Sequence, residues 1–443
     1  MQDWRWMTAA DLGSAIAAGT IDPVALTDTY LDAIDAHEFR DRIYARVTHE
    51  RARAEAAAAA TRAQSGFRRG PLDGVPISWK DLFDTAGIAT EAGTALMAGR
   101  IPDRDAKVLE NATAAGLVCL GKTHLSEIAF SGLGLNPITA TPPCVNDTDA
   151  VAGGSSSGAA ASVAFGLAAA GIGSDTGGSV RIPAAWNDLV GLKTTHGRVS
   201  LEGVVPLCLT FDTVGPLCRS VEDASLLLGA LEGNKPTDLA GGSLAGLRFM
   251  ILETIVSDEV RDAPGSAFEK AVAKLEAAGA TTHRREFPRM HDAFNVAGAL
   301  YAADSYGWWR ELVEAHPEKM FPQILERVRG GKEVSGPDFV AAWQLLHDVR
   351  AQYAKETAGF DAVIMATAPI LPPHAQRLLD DDAYYKTENL LALRNTRVAN
   401  MMGTCSVTLP TDTPSCGIMF NGKAGGEAAL LRICAAAADA LRA

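Results

Sequence analysis

The sequence predicts an α/β fold built as one continuous domain, and three observations support that reading. Apolar runs of strand length alternate with amphipathic stretches of helix length along most of the chain, the pattern of a sheet with helices packed against it. At 443 residues the chain exceeds the usual single domain, yet large α/β enzymes reach that size around one wide sheet. The clearest linker-like break, residues 233–246, is followed at once by an apolar run at 249–252 and a helical stretch at 263–278, so the alternation continues through it.

The elements follow in order. Thr8 can cap a helix that carries Leu12 and Ile16, and Asp22-Pro23 opens a second bearing Leu26, Tyr30 and Ile34. A short apolar run at 43–47 gives way at Thr48 to a third helix through the alanines at 56–60. Residues 74–80, GVPISWK, read as a buried strand that ends in a lysine, with Pro76 confining it to a sheet edge or to the strand's first residues. A turn-rich loop, DLFDTAGIAT, comes next, then a helix over 105–115 that stops at Gly116 and a strand over 117–120. Residues 136–149, with three prolines, are expected to be an irregular surface loop. Further on, a strand at 189–193 leads into a loop over 194–216 and a helix over 220–231. Residues 285–390 are mostly helical and rich in aromatics, a region suited to packing or to covering a substrate. Strands at 362–366 and 406–409, a helix at 390–402 and a helix from Glu427 complete the chain.

Composition excludes several function classes. Hydrophobic residues make up 47% and charged residues 21%, ordinary for a soluble globular protein, and no apolar run approaches the ~20 residues of a membrane span. The N-terminus MQDWRWMTAADL has neither the basic start nor the apolar centre of a signal peptide. A formal charge of −13 argues against a nucleic-acid surface. Cysteines at 119, 144, 208, 218, 405, 416 and 434 show no CxxC spacing and read as reduced thiols, which with the missing leader points to the cytoplasm. No two histidines stand at ligand spacing and HExxH is absent, so no metal is expected.

The stretch from 152 to 183, AGGSSSGAAASVAFGLAAAGIGSDTGGSVRIP, is the part the rest is arranged to hold. It sets Ser155 and Ser179 into glycine-rich turns on either side of a small-residue, helical segment. Glycine loses the most backbone freedom on folding, so eight glycines in thirty-two residues need a reason. A flexible linker fits the composition but not the apolar run at 163–167, the charged pair Asp175 and Arg181, or Pro183. Close approach of bare backbone N–H groups to a reacting atom fits all of it. Lys80, taken alone, would snorkel to solvent from its strand end.

GGSSSG at 153–158, GSDTGGSVRIPA at 173–184, VGLKTTHGRVS at 190–200 and the VPISWKD segment around Lys80 resemble, in order and spacing, the amidase signature family of serine hydrolases. The likeness is strong over a signature core of about residues 70–220, and the chain then reads as a single amidase domain over 1–443, with 285–390 as a variable helical cover. The resemblance implies a central mixed β-sheet covered by helices on both faces. It implies a Ser-Ser-Lys triad: Ser179 as nucleophile, Ser155 as bridging serine after a cis peptide bond from Gly154, and Lys80 as base. It places the oxyanion hole in the backbone N–H groups of Thr176, Gly177, Gly178 and Ser179. Asp175 and Arg181 match positions that brace that turn, Gly154 and Ser156 flank the bridging serine, and Ala129 and Ser131 are expected at the substrate. The implied partner is a small-molecule amide, with no cofactor, and a homodimer is compatible with the reading.

The chemistry asks for the same parts. A serine hydroxyl needs a base, and lysine is a base only when neutral, which burial favours. A bridging hydroxyl both donates and accepts, so it can relay a proton between Lys80 and Ser179 in a hydrogen-bonded chain. Convergent N–H groups in a glycine turn stabilise the charge that develops on an attacked amide oxygen.

Two alternatives stay open on sequence. Gly154 to Gly158 satisfies GxSxG, which would make Ser156 the nucleophile of an α/β-hydrolase esterase with a downstream histidine among His283, His291, His316, His347 and His374. The other is a glutaminase, the A-type subunit of an amidotransferase that delivers ammonia to a partner. Against that stand Thr413 to Met419 where those subunits carry a Leu-Pro-Val-Gly-Leu-Gln type segment, His124 in place of a usual asparagine, and Ala152 where a proline often precedes the glycines. A stand-alone amidase is the favoured reading.

Overall fold

The computed structural model describes residues 3–443. Its strands in chain order are β1 (Tyr44–Val47), β2 (Pro76–Lys80), β3 (Val118–Thr123), β4 (Pro143–Cys144), β5 (Asp147–Val151), β6 (Ala170–Ser174) and β7 (Val190–Lys193). There follow β8 (Val214–Cys218), β9 (Arg248–Leu252), β10 (Thr281–Arg285), β11 (Ala362–Ala366), β12 (Ser406–Pro410) and β13 (Gly417–Asn421). Eleven of them form one sheet in the order β1-β3-β2-β6-β8-β7-β12-β13-β11-β9-β10. Parallel pairs β3-β2-β6 and β11-β9-β10 flank an antiparallel centre, so the sheet is mixed as expected. β2, β3, β6, β7 and β8 are buried at every position, as strands covered on both faces are, and the lysines Lys80, Lys122 and Lys193 near their ends are buried with them.

The N-terminal helices form where their caps stand. The Thr8 side chain accepts from the Asp11 N–H and starts Ala9–Ala17, and the Asp22 side chain accepts from Val24 and Ala25 to start Pro23–Ala36. Pro76 sits at the first residue of β2, which is an interior strand: the proline costs no ladder bond there.

Several boundaries differ from the sequence expectation. Residues 136–149 are not wholly irregular, because β4 and β5 pair as an antiparallel ribbon. The helix expected over 105–115 is Lys107–Ala114, and the one expected over 390–402 runs from Asp382 to Met402, its start fixed by an Asp381 cap. The loop over 194–216 gives way to β8 at Val214. Six strands went unread, β4, β5, β6, β8, β10 and β13, and the segment between Ser155 and Ser179, expected to be helical, is helix only over Ser157–Ala164 before it becomes β6. Residues 285–390 hold the long helices Met290–Ala315 and Gly336–Glu356 with the shorter Pro322–Arg329 between them.

Candidate active site

β2 and β6 are parallel neighbours, with Trp79 opposite Ile172, so both strands deliver their last residues to the same end of the sheet. That end of a parallel strand pair is where open α/β sheets place their ligand crevices. β2 ends in Lys80 and β6 in Ser174, and the Lys80 Nζ lies 2.9 Å from the Ser174 Oγ. Lys80 does not snorkel. It is fully buried, and burial pushes its amine down to about 7, against a partial pull upward from the charges of Asp212 and Asp175.

The Ser155 hydroxyl lies 2.6 Å from the same amine. Ser155 follows a cis peptide bond from Gly154 and leads into the helix Ser157–Ala164, which lies flat on β6. Glycine permits that contact: a Cβ on Gly171 would meet the Ala159 carbonyl oxygen at 2.7 Å, and one on Gly173 would meet the Ser156 Oγ at 2.5 Å. The Ser156 hydroxyl donates to the Ser174 carbonyl at 3.2 Å and is buried, and among the described residues no histidine hydrogen-bonds to it. The esterase alternative therefore has no base at its nucleophile.

Beyond Ser174 the chain turns through Asp175 to Ser179. Asp175 is the turn's internal brace, its two carboxylate oxygens accepting the N–H groups of Gly178 at 2.8 Å and Val180 at 3.0 Å. Arg181 holds the same carboxylate in a two-pronged pair at 2.9 and 3.0 Å, and both side chains are wholly buried. Burial alone would raise the Asp175 carboxyl, but the Arg181 charge and hydrogen bonds outweigh it and hold the group well below the usual carboxylate range. The distant helix Asp382–Met402 completes the clamp. The Asn400 side-chain N–H donates to Asp175 at 2.9 Å, Arg181 donates to the Thr396 carbonyl at 2.8 Å, and the Thr396 hydroxyl donates to the Gly177 carbonyl at 2.8 Å. Gly178 has φ +135°, and a Cβ there would lie 2.0 Å from the Thr396 hydroxyl, so only glycine fits.

The four N–H groups expected at the oxyanion differ in their partners. The Gly178 N–H is already engaged by Asp175, whereas the N–H groups of Thr176, Gly177 and Ser179 have no partner among the described residues. One further link is open. The Ser156 N–H donates to the Ser179 carbonyl at 3.1 Å, which sets the two serine turns side by side, yet among the described residues no hydrogen bond joins the Ser155 and Ser179 hydroxyls.

Ser179 lines a small cleft with Thr176, Gly177, Ala129, Ser131 and Leu393, so the two residues expected at the substrate do stand there. The Ser131 hydroxyl donates to Asn389 at 3.1 Å, which positions it from the Asp382–Met402 helix. Ala129 and the preceding Ile128 have φ +61° and +44°, a left-handed kink that non-glycine residues adopt under strain. Tyr301, Arg327 and Arg397 close the cleft, which is narrow in this state. A wider cleft of about 560 Å³ between the Val221–Glu232 and Glu427–Arg442 helices holds none of these residues.

Sequence reasoning missed Ser174, Asp212, Thr396, Asn400 and the two cleft arginines. Asp212 accepts from the Thr176 hydroxyl and, at 3.0 Å each, from the N–H groups of Leu207 and Cys208; burial pushes its carboxyl up to about 6. Ser174 was within reach of sequence, as the last residue of a strand ending beside the signature turn. The others lie in segments with no motif of their own.

Comparison with known proteins gives a consistent result. The family profile described as "Amidase" matches residues 25–431. The chain is 32% identical to 2-amino-5-chloromuconic acid deaminase of Comamonas testosteroni, over 96% of this chain and 94% of that protein. It is 30% identical to the A subunit of the glutamyl-tRNA(Gln) amidotransferase of Chloroflexus aggregans, over 98% and 96%. Among solved structures, the native peptide amidase of Stenotrophomonas maltophilia superposes with a TM-score of 0.82 at 27% identity, covering 99% of this chain and 97% of that one. Another, described as a crystal structure of amidase, gives 0.86 at 28%, covering 98% and 99%. With its mixed sheet, its paired serine turns and these matches along nearly its whole length, the chain belongs to the amidase signature family of amide hydrolases.

Proposed function

We propose that the protein hydrolyses a carboxylic amide to acid and ammonia or amine through an acyl-enzyme on Ser179, with Ser155 and Lys80 as its proton relay. The observation that carries this reading is the buried Lys80 amine 2.6 Å from the Ser155 hydroxyl, in a protein whose Ser179 faces the adjoining cleft. A lysine held near neutrality by burial accepts a proton from Ser155, and Ser155 in turn takes one from Ser179 as that oxygen attacks the amide carbon. The hydroxyl-to-hydroxyl link closes when substrate seats Ser179, since catalytic hydrogen bonds tighten in the bound complex. The amide oxygen gains charge and is received by free N–H groups among Thr176, Gly177 and Ser179, each well-placed donor worth about 3 to 4 kcal/mol. The leaving amine takes the proton back through Ser155, and water then repeats the sequence on the acyl ester, releasing acid.

A serine-directed fluorophosphonate tests the nucleophile. Peptide mass spectrometry should find the label on Ser179, and label on Ser156 would overturn the assignment. A second reading, ammonia delivery to a partner protein, is favoured by the end-to-end similarity to the A chain of a glutamyl-tRNA(Gln) amidotransferase. Ammonia release from simple amides by the purified single chain decides between the two.

A further inference from the structure

Two guanidinium groups line the cleft that contains Ser179, and neither has an acidic partner among the described residues. Arg397 makes no hydrogen bond among them, and its Nε is buried. Arg327 makes one, from Nη1 to the Phe130 carbonyl at 2.8 Å. Each rests near an aromatic ring, Arg327 4.4 Å from the Phe130 centroid and Arg397 5.7 Å from that of Tyr301. A ring face leaves the in-plane N–H fork free to bind. Both side chains are half-buried, and two cations lining one small cleft repel each other. Burial first pushes Arg327 down to about 10, with Tyr385 pulling upward and the Arg397 charge adding to the fall.

Both side chains are fixed relative to the reacting serine. Arg397 follows Thr396, whose hydroxyl is bonded to the Gly177 carbonyl, and Arg327 is tied to the backbone of the Ala129 loop. Arg397 is thus held by the helix that also holds the Ser179 turn and Arg327 by the Ala129 loop, and the N–H forks are left for whatever enters the cleft.

We infer that the acyl part of the substrate carries a carboxylate bound by Arg327 and Arg397, so that the preferred substrates are monoamides of short dicarboxylic acids. The inference rests on Ser179 as the nucleophile facing this cleft. An anion supplies the charge both guanidiniums lack, and the planar fork of arginine matches a carboxylate. Ser179 and the two guanidiniums line the same small cleft, which calls for a short chain between amide and carboxylate. A zwitterion such as glutamine suits the cleft less well, because its ammonium would join two cations where no lining residue is acidic.

The test compares ammonia release by the purified chain from succinamate and glutaramate, from butyramide and valeramide as uncharged counterparts, and from glutamine. The expected result is a kcat/KM for the best anionic amide at least about 100-fold above its uncharged counterpart, with glutamine below the anionic pair. Arg397→Gln and Arg327→Gln should each lower the anionic-to-neutral ratio about 10- to 100-fold, and Arg397→Lys should restore part of it. Equal kcat/KM on the charged and uncharged series, or a ratio unmoved by both glutamine variants, overturns the inference. Fluorophosphonate labelling separates its failure from that of the nucleophile: an enzyme labelled on Ser179 that ignores the anionic amides refutes the substrate class alone, and an unlabelled Ser179 refutes both.

Discussion

Replacing Lys80 with methionine, which keeps the buried length and removes the amine, should change activity and stability in a linked, pH-dependent way. The side chain titrates near 10.5 when free and at about 7 in its buried place. At about 1.4 kcal/mol per pH unit, holding a proton at this site costs about 5 kcal/mol more than in water. Between those two values the unfolded chain binds the proton and the folded chain does not, so this group makes the folded state more stable as pH rises from 7 to 10.5. Below 7 both states are protonated and the contribution levels off at its least favourable. From pH 7 to pH 9 the wild type should therefore gain about 2 kcal/mol over Lys80→Met in urea unfolding. Buried thiols such as Cys119, which burial pushes up to about 11, are common to both proteins and cancel in the difference. In steady-state assays the wild-type kcat/KM should rise with pH through about 7, and the variant should lose about 10²- to 10⁴-fold at neutral pH, with the deficit shrinking as pH rises. A stability gap that does not change with pH, a wild-type limb near 10, or a variant with near wild-type turnover would refute the reasoning.

The other expectations concern the groups around that amine. Ser155→Ala should resemble the lysine variant in kcat, and the Ser155→Ala/Lys80→Met double variant should be little slower than either alone, because a relay acts as a unit; fully additive losses count against it. Asp212→Asn removes a charge that pulls the Lys80 value upward, so the acid limb of kcat/KM should move to lower pH, and an upward or absent shift contradicts the proposed coupling. Asp175→Asn strands the buried Arg181 charge, which should lower stability by about 3 to 5 kcal/mol and be visible in thermal unfolding; a change under about 1 kcal/mol would mean the clamp is not what holds the turn.

The signature core was legible because its residues are contiguous in sequence. Some of its glycines answer to near neighbours, Gly171 to Ala159 and Gly173 to Ser156, and others to distant ones, Gly158 to Ile43 and Gly178 to Thr396, but all stand in one stretch with Ser155 and Ser179 in its turns. The clamp was not legible, because Thr396 and Asn400 reach it across more than 200 residues and sit on a helix whose sequence has no reason to differ from packing. The partner of the Gly178 N–H was hidden for a similar reason: the spacing of Asp175 and Gly178 does not reveal that the carboxylate turns inward to take it. Among the strands, β10 reads TTHRR, with no apolar alternation, because it is the outer edge of the sheet and half its side chains meet solvent. β13 is short and apolar and follows Pro414, and its residues drew notice only as a departure from a relative's pattern.

The clamp and the cleft share one helix. Along Asp382–Met402, Leu393 and Arg397 line the cleft, while Thr396 and Asn400, three positions after each, hold the turn from Asp175 to Ser179. Recognition and reactivity are thus geared together on a single rod, and any shift of the rod that admits a bulkier acyl group also drags on the loop that carries Ser179. Changes of selectivity made on this helix should tend to come with slower chemistry. The opposite wall, where Arg327 meets Phe130, is tied to the same helix through Ser131 and Gly132 on Asn389, so both sides of the cleft answer to one rod.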